Sequence, residues 1–337
     1  MKAIKMQLNV TDKVPLHKVV PLDGPFVLSI EPSAICNLKC SYCAHSLPDH
    51  KKDEKNRRPK ELMNFQVFDK IIHDLKEFNK PLKMVYLSQL GEPLLNNHLP
   101  QMVKRFHTEG VAEKTMLFTN AVPLTEEKSL ALVEAGLTKI KIAVNGLSAE
   151  DYKKNCGVSI DFENFVKQIA FLYKNKKNLI IQIKTVDKLL RLGDDNRFYK
   201  IFGDICDYID IEKLFPLYDG VPYDDLFFNG SKKPVSRFEI AQEDVKICAL
   251  PFFRLVVAAD GTINLCYSGM PDRNIKDCSL KEAWESERRK ALLTSLLQQN
   301  YEGIYSACEN CVCGHEQADE NDNLYPYREA ILQRLQK

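Results

Sequence analysis

Strand-like and helix-like hydrophobic patterns alternate from about residue 26 to residue 212. Runs rich in β-branched and aromatic residues predict six strands, at FVLSIE (26–31), KMVYLSQ (83–89), TMLFTN (115–120), KIKIAVN (139–145), LIIQIKTV (179–186) and YIDIE (208–212). Apolar residues three and four positions apart predict helices between the strands, at 65–78, 100–110, 125–136 and 162–175. This alternation predicts an α/β fold with a parallel sheet, either doubly wound or part of a barrel. In a barrel, the chemistry is expected on loops that follow the carboxyl ends of the strands.

The pattern changes after residue 212. RLVVAADGTINLC (254–266) predicts a β-hairpin that turns at an Asp-Gly pair. Residues 279–299 are expected to form one helix, and the tail from about 316 is expected to be helical. Prolines, glycines and the lack of a regular period predict a connector before the hairpin. The expected divisions are an N-terminal extension (1–25), the parallel-sheet domain (26–212), the connector (213–245), a small C-terminal domain (246–314) and the tail (315–337).

Composition narrows the class of protein. The chain has 337 residues, 45% of them hydrophobic and 28% charged, and a formal net charge of +1, so no general nucleic-acid partner is expected. No apolar run reaches the roughly 18 residues of a membrane span, and the first residues lack the apolar stretch of a signal peptide, so no membrane association is expected. A cytoplasmic location is therefore predicted. Eleven cysteines in that reducing compartment indicate metal or redox chemistry rather than a disulfide framework.

Three cysteines follow the first predicted strand directly. Cys36, Cys40 and Cys43 have the spacing C-x3-C-x2-C, and no fourth cysteine lies nearby. A zinc site would need a fourth ligand, which His45 or His50 could supply. A [4Fe–4S] cluster on three cysteines would instead leave one iron open to a substrate or cofactor.

With Tyr42 just before the last cysteine, this motif resembles the signature of radical S-adenosylmethionine (AdoMet, SAM) enzymes. In that family the open iron binds AdoMet, and its reductive cleavage gives a 5′-deoxyadenosyl radical that abstracts a hydrogen atom from the substrate. The resemblance implies a partial (β/α)6 TIM-like barrel over 26–212, a radical SAM [4Fe–4S] cluster on the three cysteines, and AdoMet beside Tyr42. It also implies a one-electron donor such as flavodoxin or ferredoxin.

SQLGEPLLN (88–96) ends the second predicted strand and resembles the glycine-glutamate-proline motif of the same family. Gly91 would let the backbone approach AdoMet, and Glu92 would accept a hydrogen bond from its amino group. The sequence departs from the usual form, because Gln89 and Leu90 stand where a further glycine is common.

The ends of the next strands also resemble the borders of an AdoMet pocket. TNA (119–121) and VNG (144–146) lie where the family has TNG and S-x-D-G segments. Asn145 and, on the following strand, Lys184 are expected to reach the ribose or carboxylate of AdoMet. The alternatives are a turn-forming Asn-Gly pair and a solvated lysine.

A second cysteine set lies in the C-terminal part. Cys248 and Cys266 form a C-x12-G-x4-C pattern, and Cys308 and Cys311 follow as C-x2-C. A zinc ribbon is one alternative, although ribbons usually pair two C-x2-C knuckles. The arrangement resembles the twitch domain, a short relative of the SPASM domain of radical AdoMet enzymes. The resemblance implies a small α/β domain in which these four cysteines hold one auxiliary [4Fe–4S] cluster.

The other cysteines have simpler interpretations. Cys156, Cys206 and Cys278 are predicted to be buried structural residues. Cys313 is a candidate hydrogen-atom donor for an epimerase, with a spare structural thiol as the alternative. HKKDEKNRRPK (50–60) is expected to be a solvated loop, with contact to an acidic or phosphorylated substrate left open.

The resemblance implies a radical SAM oxidoreductase with a small polar substrate, such as a sugar, cyclitol or nucleotide sugar. Dehydrogenation or epimerisation is the expected reaction. The alternative is a radical SAM maturase that modifies peptides, and a different class altogether is a zinc-binding adaptor protein.

Overall fold

The computed structural model describes residues 2–5, 14–48, 59–215, 217, 220–223, 245–267, 269–301, 308, 311, 313–316 and 318–336. Within these residues one sheet contains ten strands, which are β1 (Ile4–Lys5), β2 (Val27–Ile30), β3 (Met84–Leu87), β4 (Thr115–Thr119), β5 (Lys139–Ala143), β6 (Ile180–Val186), β7 (Tyr208–Glu212), β8 (Arg254–Val257), β9 (Thr262–Asn264) and β10 (Pro271–Asn274). All six predicted strands are confirmed, and they are β2 to β7.

The α-helices of the described residues are α1 (Phe65–Leu75), α2 (Leu99–Thr108), α3 (Glu126–Glu134), α4 (Ala149–Cys156), α5 (Phe162–Asn175), α6 (Asp195–Phe202), α7 (Leu250–Phe253), α8 (Leu280–Trp284), α9 (Glu287–Gln298), α10 (Cys313–Glu316) and α11 (Arg328–Leu335). Among the described residues no helix has the length and apolar character needed to cross a membrane.

The strand order decides between the two predicted sheet types. The sheet runs β1-β7-β6-β5-β4-β3-β2-β8-β9-β10, so β2 to β7 lie side by side in chain order and pair in parallel. A doubly wound sheet would reverse its order at a switch point. The uninterrupted order is that of a partial barrel, so the loops after β2 to β6 share one edge.

One face of this sheet is apolar and packs against the helices. Its fully buried side chains are Leu28, Ile30, Val85, Leu87, Leu117, Ile140, Ile142, Ile181 and Ile183. They share one core with helix residues such as Phe68, Met102, Leu132, Phe165 and Phe198. Burial of this face stabilises the fold, at about 25 cal/mol per Å² of apolar surface removed from water.

Strands from the predicted C-terminal domain continue the barrel sheet. β8 pairs in parallel with β2, from Val27 opposite Arg254 to Ile30 opposite Val257. The predicted hairpin is confirmed by the antiparallel pair β8 and β9, with Gly261 at φ 88° in its turn. The N-terminal extension adds β1 in parallel to β7. The predicted domain boundaries stay predictions, but the two halves share one sheet.

The prediction of one helix over 279–299 is wrong. The chain forms α8 and α9 instead, with a break before Glu287. The reason is Ser286, whose side chain accepts a hydrogen bond from the backbone N–H of Arg289 and caps α9. The tail is helical in part, as predicted, and α11 lies there. Residues 224–244 of the connector lie outside the described residues.

Candidate active site

The loop after β2 and the loop after β3 are joined through their backbones. The backbone N–H of Glu92 donates to the carbonyl oxygen of Ile35 at 2.8 Å. A Cβ on Gly91 would lie 2.0 Å from the carbonyl oxygen of Ser33, so only glycine permits this approach. The loop after β2 that carries Cys36, Cys40 and Cys43, hereafter the cysteine loop, therefore lies against the glycine-glutamate-proline segment. Glu92 faces the start of the cysteine loop.

Glu92 is a buried carboxylate with three donors. One oxygen accepts from the Thr119 hydroxyl at 2.6 Å and the Leu94 backbone N–H at 2.9 Å, and the other accepts from the Asn120 backbone N–H at 2.7 Å. Burial raises the pKa of Glu92 to about 7, although these hydrogen bonds lower it. The carboxylate is thus held in one orientation. A protonated amino group at this position would donate a charge-assisted hydrogen bond to it.

Two asparagine amides border the sulfurs of the cysteine loop. Asn120, at the end of β4, directs its Nδ2 to the Cys36 Sγ at 3.8 Å and to the Asn37 Oδ1 at 2.9 Å. Asn145, after β5, directs its Nδ2 to the Cys40 Sγ at 3.8 Å. Sequence reasoning singled out the TNA segment without assigning Asn120 a role, because its amide faces the cysteine loop only once β2 and β4 are packed.

Tyr42 and Asn145, both predicted to border AdoMet, contact each other. The Tyr42 hydroxyl donates to the Asn145 Oδ1 at 2.8 Å, and the Asn155 Nδ2 donates to the Asn145 carbonyl at 2.7 Å. Both side-chain atoms of the Asn145 amide are therefore engaged with the cysteine loop. Their contact with AdoMet stays a prediction, and the structure adds a role in orienting Tyr42 and Cys40.

The cysteine loop fits an iron–sulfur cluster. Burial raises the pKa of the Cys36 thiol to about 12, and the pKa of Cys40 is raised by its hydrogen bond to Cys156 and by burial. Such thiols remain protonated until a metal cation binds them as thiolates. The amide donors suit sulfurs of a bound cluster, whose potentials depend on such hydrogen bonds. Cys36, Cys40 and Cys43 would hold it.

The other residues of the cysteine region have separate environments. The His45 ring lies 3.2 Å from the backbone carbonyl of Ala34. His50, and most of the basic loop 50–60, fall outside the described residues. Cys206 and Cys278 are buried, as predicted, and so is Cys156. The position of Cys156, 3.6 Å from the Cys40 sulfur, was not predicted.

Lys184 belongs to a charged group on the inner face of the barrel. Its ammonium lies 2.5 Å from one Glu212 carboxylate oxygen, and the Lys141 ammonium lies 2.5 Å from the other. Asp210 shares the face, opposite Lys184 in the register. Lys184 is thus held by Glu212, and its predicted contact with AdoMet stays a prediction.

Sequence reasoning missed this charged inner face, although its signal is present. KIKIA, IQIKTV and YIDIE alternate apolar and polar residues along β5, β6 and β7. Strands of a parallel sheet covered on both faces read as continuous apolar runs. The alternation therefore indicates that one face lines a polar interior.

The C-terminal cysteines also lie together. Burial raises the pKa of the Cys248 thiol, and Cys311, Cys266 and Cys308 add to the shift because they are close to it. A Cβ on Gly314 would lie 2.7 Å from the Cys248 sulfur. The set is a collection of soft thiol ligands, which fits an auxiliary iron–sulfur cluster.

Cys313 joins this C-terminal set. It is buried, and the hydrogen bond to Cys311 is the largest cause that raises its pKa, with Cys266 and Cys248 also nearby. The structure therefore places it beside the predicted cluster ligands. Its role as a hydrogen donor stays a prediction.

Known families match both halves of the chain. Residues 30–187 match the model of the radical SAM superfamily, and residues 248–312 match SPASM, an iron–sulfur cluster-binding domain. The chain therefore contains a radical SAM domain and a SPASM domain. This radical SAM protein uses a [4Fe–4S] cluster and AdoMet, with auxiliary iron–sulfur chemistry in its SPASM region. These matches favour clusters over both zinc alternatives, and the shorter twitch form stays a prediction.

Curated relatives differ in their activities. The chain is 33% identical over 192 residues to a probable GTP 3′,8-cyclase of Methanococcus maripaludis, a match that covers 56% of the chain and 59% of the relative. It is 24% identical over 326 residues to the tungsten-containing aldehyde ferredoxin oxidoreductase cofactor-modifying protein of Pyrococcus furiosus. That match covers 84% of the chain and 86% of the relative. The first match thus spans little more than half the length of that relative.

Solved radical SAM structures share the fold. SuiB of Streptococcus suis bound to S-adenosylmethionine superposes with a TM-score of 0.60 at 15% identity, over 88% of this chain and 72% of SuiB. BtrN in complex with AdoMet and 2-DOIA gives a TM-score of 0.54 at 17% identity, over 88% of this chain and 96% of BtrN. Native anSMEcpe with bound AdoMet gives 0.55 at 19% identity, over 92% and 96%.

Proposed function

We propose that this radical SAM protein is an oxidoreductase that removes hydrogen from a small polar substrate bound on the inner face of its barrel. A sugar, a cyclitol or a nucleotide sugar fits the proposal. The observation that carries it is the charged inner face formed by Lys141, Lys184, Asp210 and Glu212, next to the strand ends that hold the predicted AdoMet residues.

The inner face offers charges of both signs at short range. Lys141 and Lys184 share the two oxygens of Glu212, and their side chains lie in a mostly buried setting. Buried polar groups of this kind supply donors and acceptors in fixed positions. A substrate with several hydroxyl groups would use them better than an apolar one, because its hydroxyls both donate and accept.

Aromatic rings continue the same face toward β8. The Lys141 ammonium lies 5.8 Å from the centre of the Phe118 ring, which lies 5.6 Å from the Tyr86 ring, and the Arg254 guanidinium lies 5.0 Å from Tyr86. Apolar surfaces with a few convergent polar groups are typical of small-molecule sites. The C–H face of a sugar or cyclitol ring would pack on such a surface.

The residues at the strand ends prepare the site for AdoMet. Glu92 is held in place by Thr119 and Asn120 to receive the amino group, and Asn145 orients Tyr42 beside Cys40. When bound, the two kinds of cluster supply the electron that cleaves AdoMet and an acceptor for the electron that leaves the substrate.

Dehydrogenation is favoured over epimerisation. Loss of one hydrogen atom, one proton and one electron converts a secondary alcohol to a ketone. An epimerase would instead need a thiol to return a hydrogen atom, and Cys313, the candidate for that role, is buried against Cys311. The name of the M. maripaludis relative, a GTP cyclase, supports a small molecule over a peptide as the substrate.

The test uses the anaerobically reconstituted full chain with AdoMet and a panel of carbon-deuterated sugars, cyclitols, nucleotide sugars and peptides. We expect deuterium in 5′-deoxyadenosine and a product two hydrogens lighter from one of the first three groups. Lys141→Met should abolish that product while AdoMet cleavage without substrate continues. Lys176→Met, which breaks the Lys176–Asp207 ion pair elsewhere, is the matched control.

A peptide as the only deuterium donor would overturn the proposal in favour of the maturase alternative. A product of unchanged mass and inverted stereochemistry would contradict dehydrogenation. If Lys141→Met and Lys176→Met formed equal amounts of product, the inner face would not be the substrate site.

A further inference from the structure

The cysteine loop has a fourth thiol next to it. The sulfurs of Cys40 and Cys156 lie 3.6 Å apart, although the two residues are 116 positions apart in the chain. Cys156, the last residue of α4, is fully buried, while Cys40 is partly exposed. This pair therefore joins a cysteine of intermediate exposure to a fully buried one.

The backbones around the two cysteines are held together as well. The N–H of Lys39 donates to the carbonyl of Cys156 at 2.9 Å, and the N–H of Ser41 donates to the carbonyl of Asn155 at 3.0 Å. Gly157, at φ 66°, ends α4 at this point. A disulfide needs backbones that are already close, because its Cα atoms usually lie about 4.4–6.8 Å apart.

We propose that Cys40 and Cys156 are a reversible oxidation site, which forms a disulfide in the chain without its radical SAM cluster. The bond would occupy one of the three predicted cluster ligands. With glutathione disulfide as the oxidant, the Cys40 thiol gives up its proton as its sulfur attacks a glutathione sulfur, and one glutathione leaves and takes up a proton. Cys156 then attacks the Cys40 sulfur of the mixed disulfide and releases the second.

The exchange conserves atoms and electrons. Two protein thiols and one glutathione disulfide give one protein disulfide and two glutathione molecules, so two electrons and two protons pass to glutathione. The disulfide would protect Cys40 from irreversible oxidation to sulfinic acid, and its reduction would have to precede cluster assembly. This inference does not depend on the identity of the substrate.

The test uses the full chain stripped of metal with a chelator and then incubated with glutathione disulfide. Trypsin cleaves after Lys39 and Lys154, so the expected product is peptide 40–51 linked to peptide 155–167. Its mass should be about two hydrogens below the sum of the peptides, and fragmentation should place the bond at Cys40 rather than Cys43. Reduction should separate the peptides. The cluster-loaded chain, whose Cys40 is a ligand, should not give this product.

Two variants sharpen the result. Cys156→Ser should abolish the linked peptide and leave Cys40 as a glutathione adduct. Cys206→Ala is the matched control, because Cys206 is equally buried and contacts the Phe202 carbonyl, so the linked peptide should form as in the wild type. Absence of the 40–156 bond in the oxidised wild type would overturn the proposal. So would its formation to the same extent in the cluster-loaded chain.

Discussion

At the scale of single residues, Glu92 combines burial with a requirement for charge. Its two oxygens accept three hydrogen bonds from β4 and the segment after β3, and they are removed from water. A carboxylate in such a place is costly without a cationic or donating partner. If AdoMet binds here, as the resemblance to radical SAM enzymes implies, its amino group would be a cationic partner for this carboxylate.

We expect Glu92→Ala to weaken AdoMet binding about tenfold to a hundredfold, because a hydrogen bond to a charged group contributes about 1.5–3 kcal/mol. Equilibrium binding to the reconstituted protein measures this, with iron content as a check that the clusters are intact. Thr119→Val is the matched control, since it removes one donor to the carboxylate and keeps the carboxylate. Equal affinity in Glu92→Ala and the wild type would contradict the role.

The same residue predicts a pH dependence of stability. The folded chain raises the pKa of Glu92 from 4.5 to about 7. Folding therefore favours the protonated form of Glu92. The contribution of this residue to the free energy of unfolding is fully present below pH 4.5 and is lost as the pH rises through about 7. Between about pH 5 and about pH 8, the cluster-free wild type should lose about 2–3 kcal/mol relative to Glu92→Gln, which does not titrate there.

Urea unfolding of both proteins at the two pH values measures that difference. The comparison with Glu92→Gln removes the contributions of other carboxylates, which titrate in both chains. A stability difference between the two proteins that is the same at both pH values would contradict a Glu92 pKa raised to about 7 in the folded chain.

At the scale of elements, Gly91 controls how the loops after β2 and β3 meet. Gly91→Ala would place a Cβ 2.0 Å from the Ser33 carbonyl oxygen, so the cysteine loop would have to move. We expect the variant to fold but to lose most of the iron of its radical SAM cluster, and with it AdoMet cleavage. Gly110→Ala is the control for backbone strain without a clash, because Gly110 has a φ of 65° and nothing lies within 4 Å of its added Cβ. It should lose some stability but keep its iron. Full iron in Gly91→Ala would show that the junction does not position the cluster.

The strands could be predicted because each run carries its own signal of length, β-branching and flanking helices. Their order could not be read from the pattern, which fits both a doubly wound sheet and a barrel, and the partial barrel is implied by the family resemblance. The break between α8 and α9 was missed because Ser286 sits in an otherwise helical pattern, and its capping role depends on one local hydrogen bond. The neighbours of Cys40 were beyond prediction, since Cys156 and Asn145 approach it only through packing.

The charged inner face lies between these two cases. The alternation of apolar and polar residues in β5, β6 and β7 is visible in the sequence. It indicates a polar face only when it is compared with the continuous apolar runs of a parallel sheet that is covered by helices on both faces. Which charges pair was not readable, because Glu212 meets Lys141 and Lys184 across neighbouring strands. The hydrophobic pattern predicts the strands and most of the helices, whereas the contacts between them are known only from the structure.

At the scale of the whole molecule, two separate cysteine sets predict two [4Fe–4S] clusters. Anaerobic reconstitution should therefore give about eight iron and eight sulfide per chain. Replacing Cys36, Cys40 and Cys43 together by Ala should remove about half of the iron and abolish AdoMet cleavage, while the spectrum of the auxiliary cluster remains. A triple variant that retains all its iron would place the first cluster elsewhere.

The shared sheet also predicts that the two halves unfold together. β8 pairs with β2, and the Ala259 backbone N–H donates to the buried Glu31 carboxylate at 3.3 Å, so the predicted ligand Cys266 lies at the end of a hairpin anchored in the barrel. Metal binding at a structural site contributes to folding free energy. Loss of the auxiliary cluster should therefore destabilise the barrel as well as the C-terminal region.

We expect Cys266→Ala to lower the midpoint of thermal unfolding by about 3 °C for each 2 kcal/mol lost, in one transition. Circular dichroism follows the whole chain. In this variant, cluster absorbance follows the radical SAM cluster predicted on Cys36, Cys40 and Cys43, so the two signals should shift together. Cys278→Ala is the matched control, because Cys278 is also a buried cysteine of the C-terminal region and lies outside the predicted ligand set. If the barrel signal stayed at the wild-type midpoint while iron at the auxiliary site was lost, β8 would transmit no stability from one half to the other.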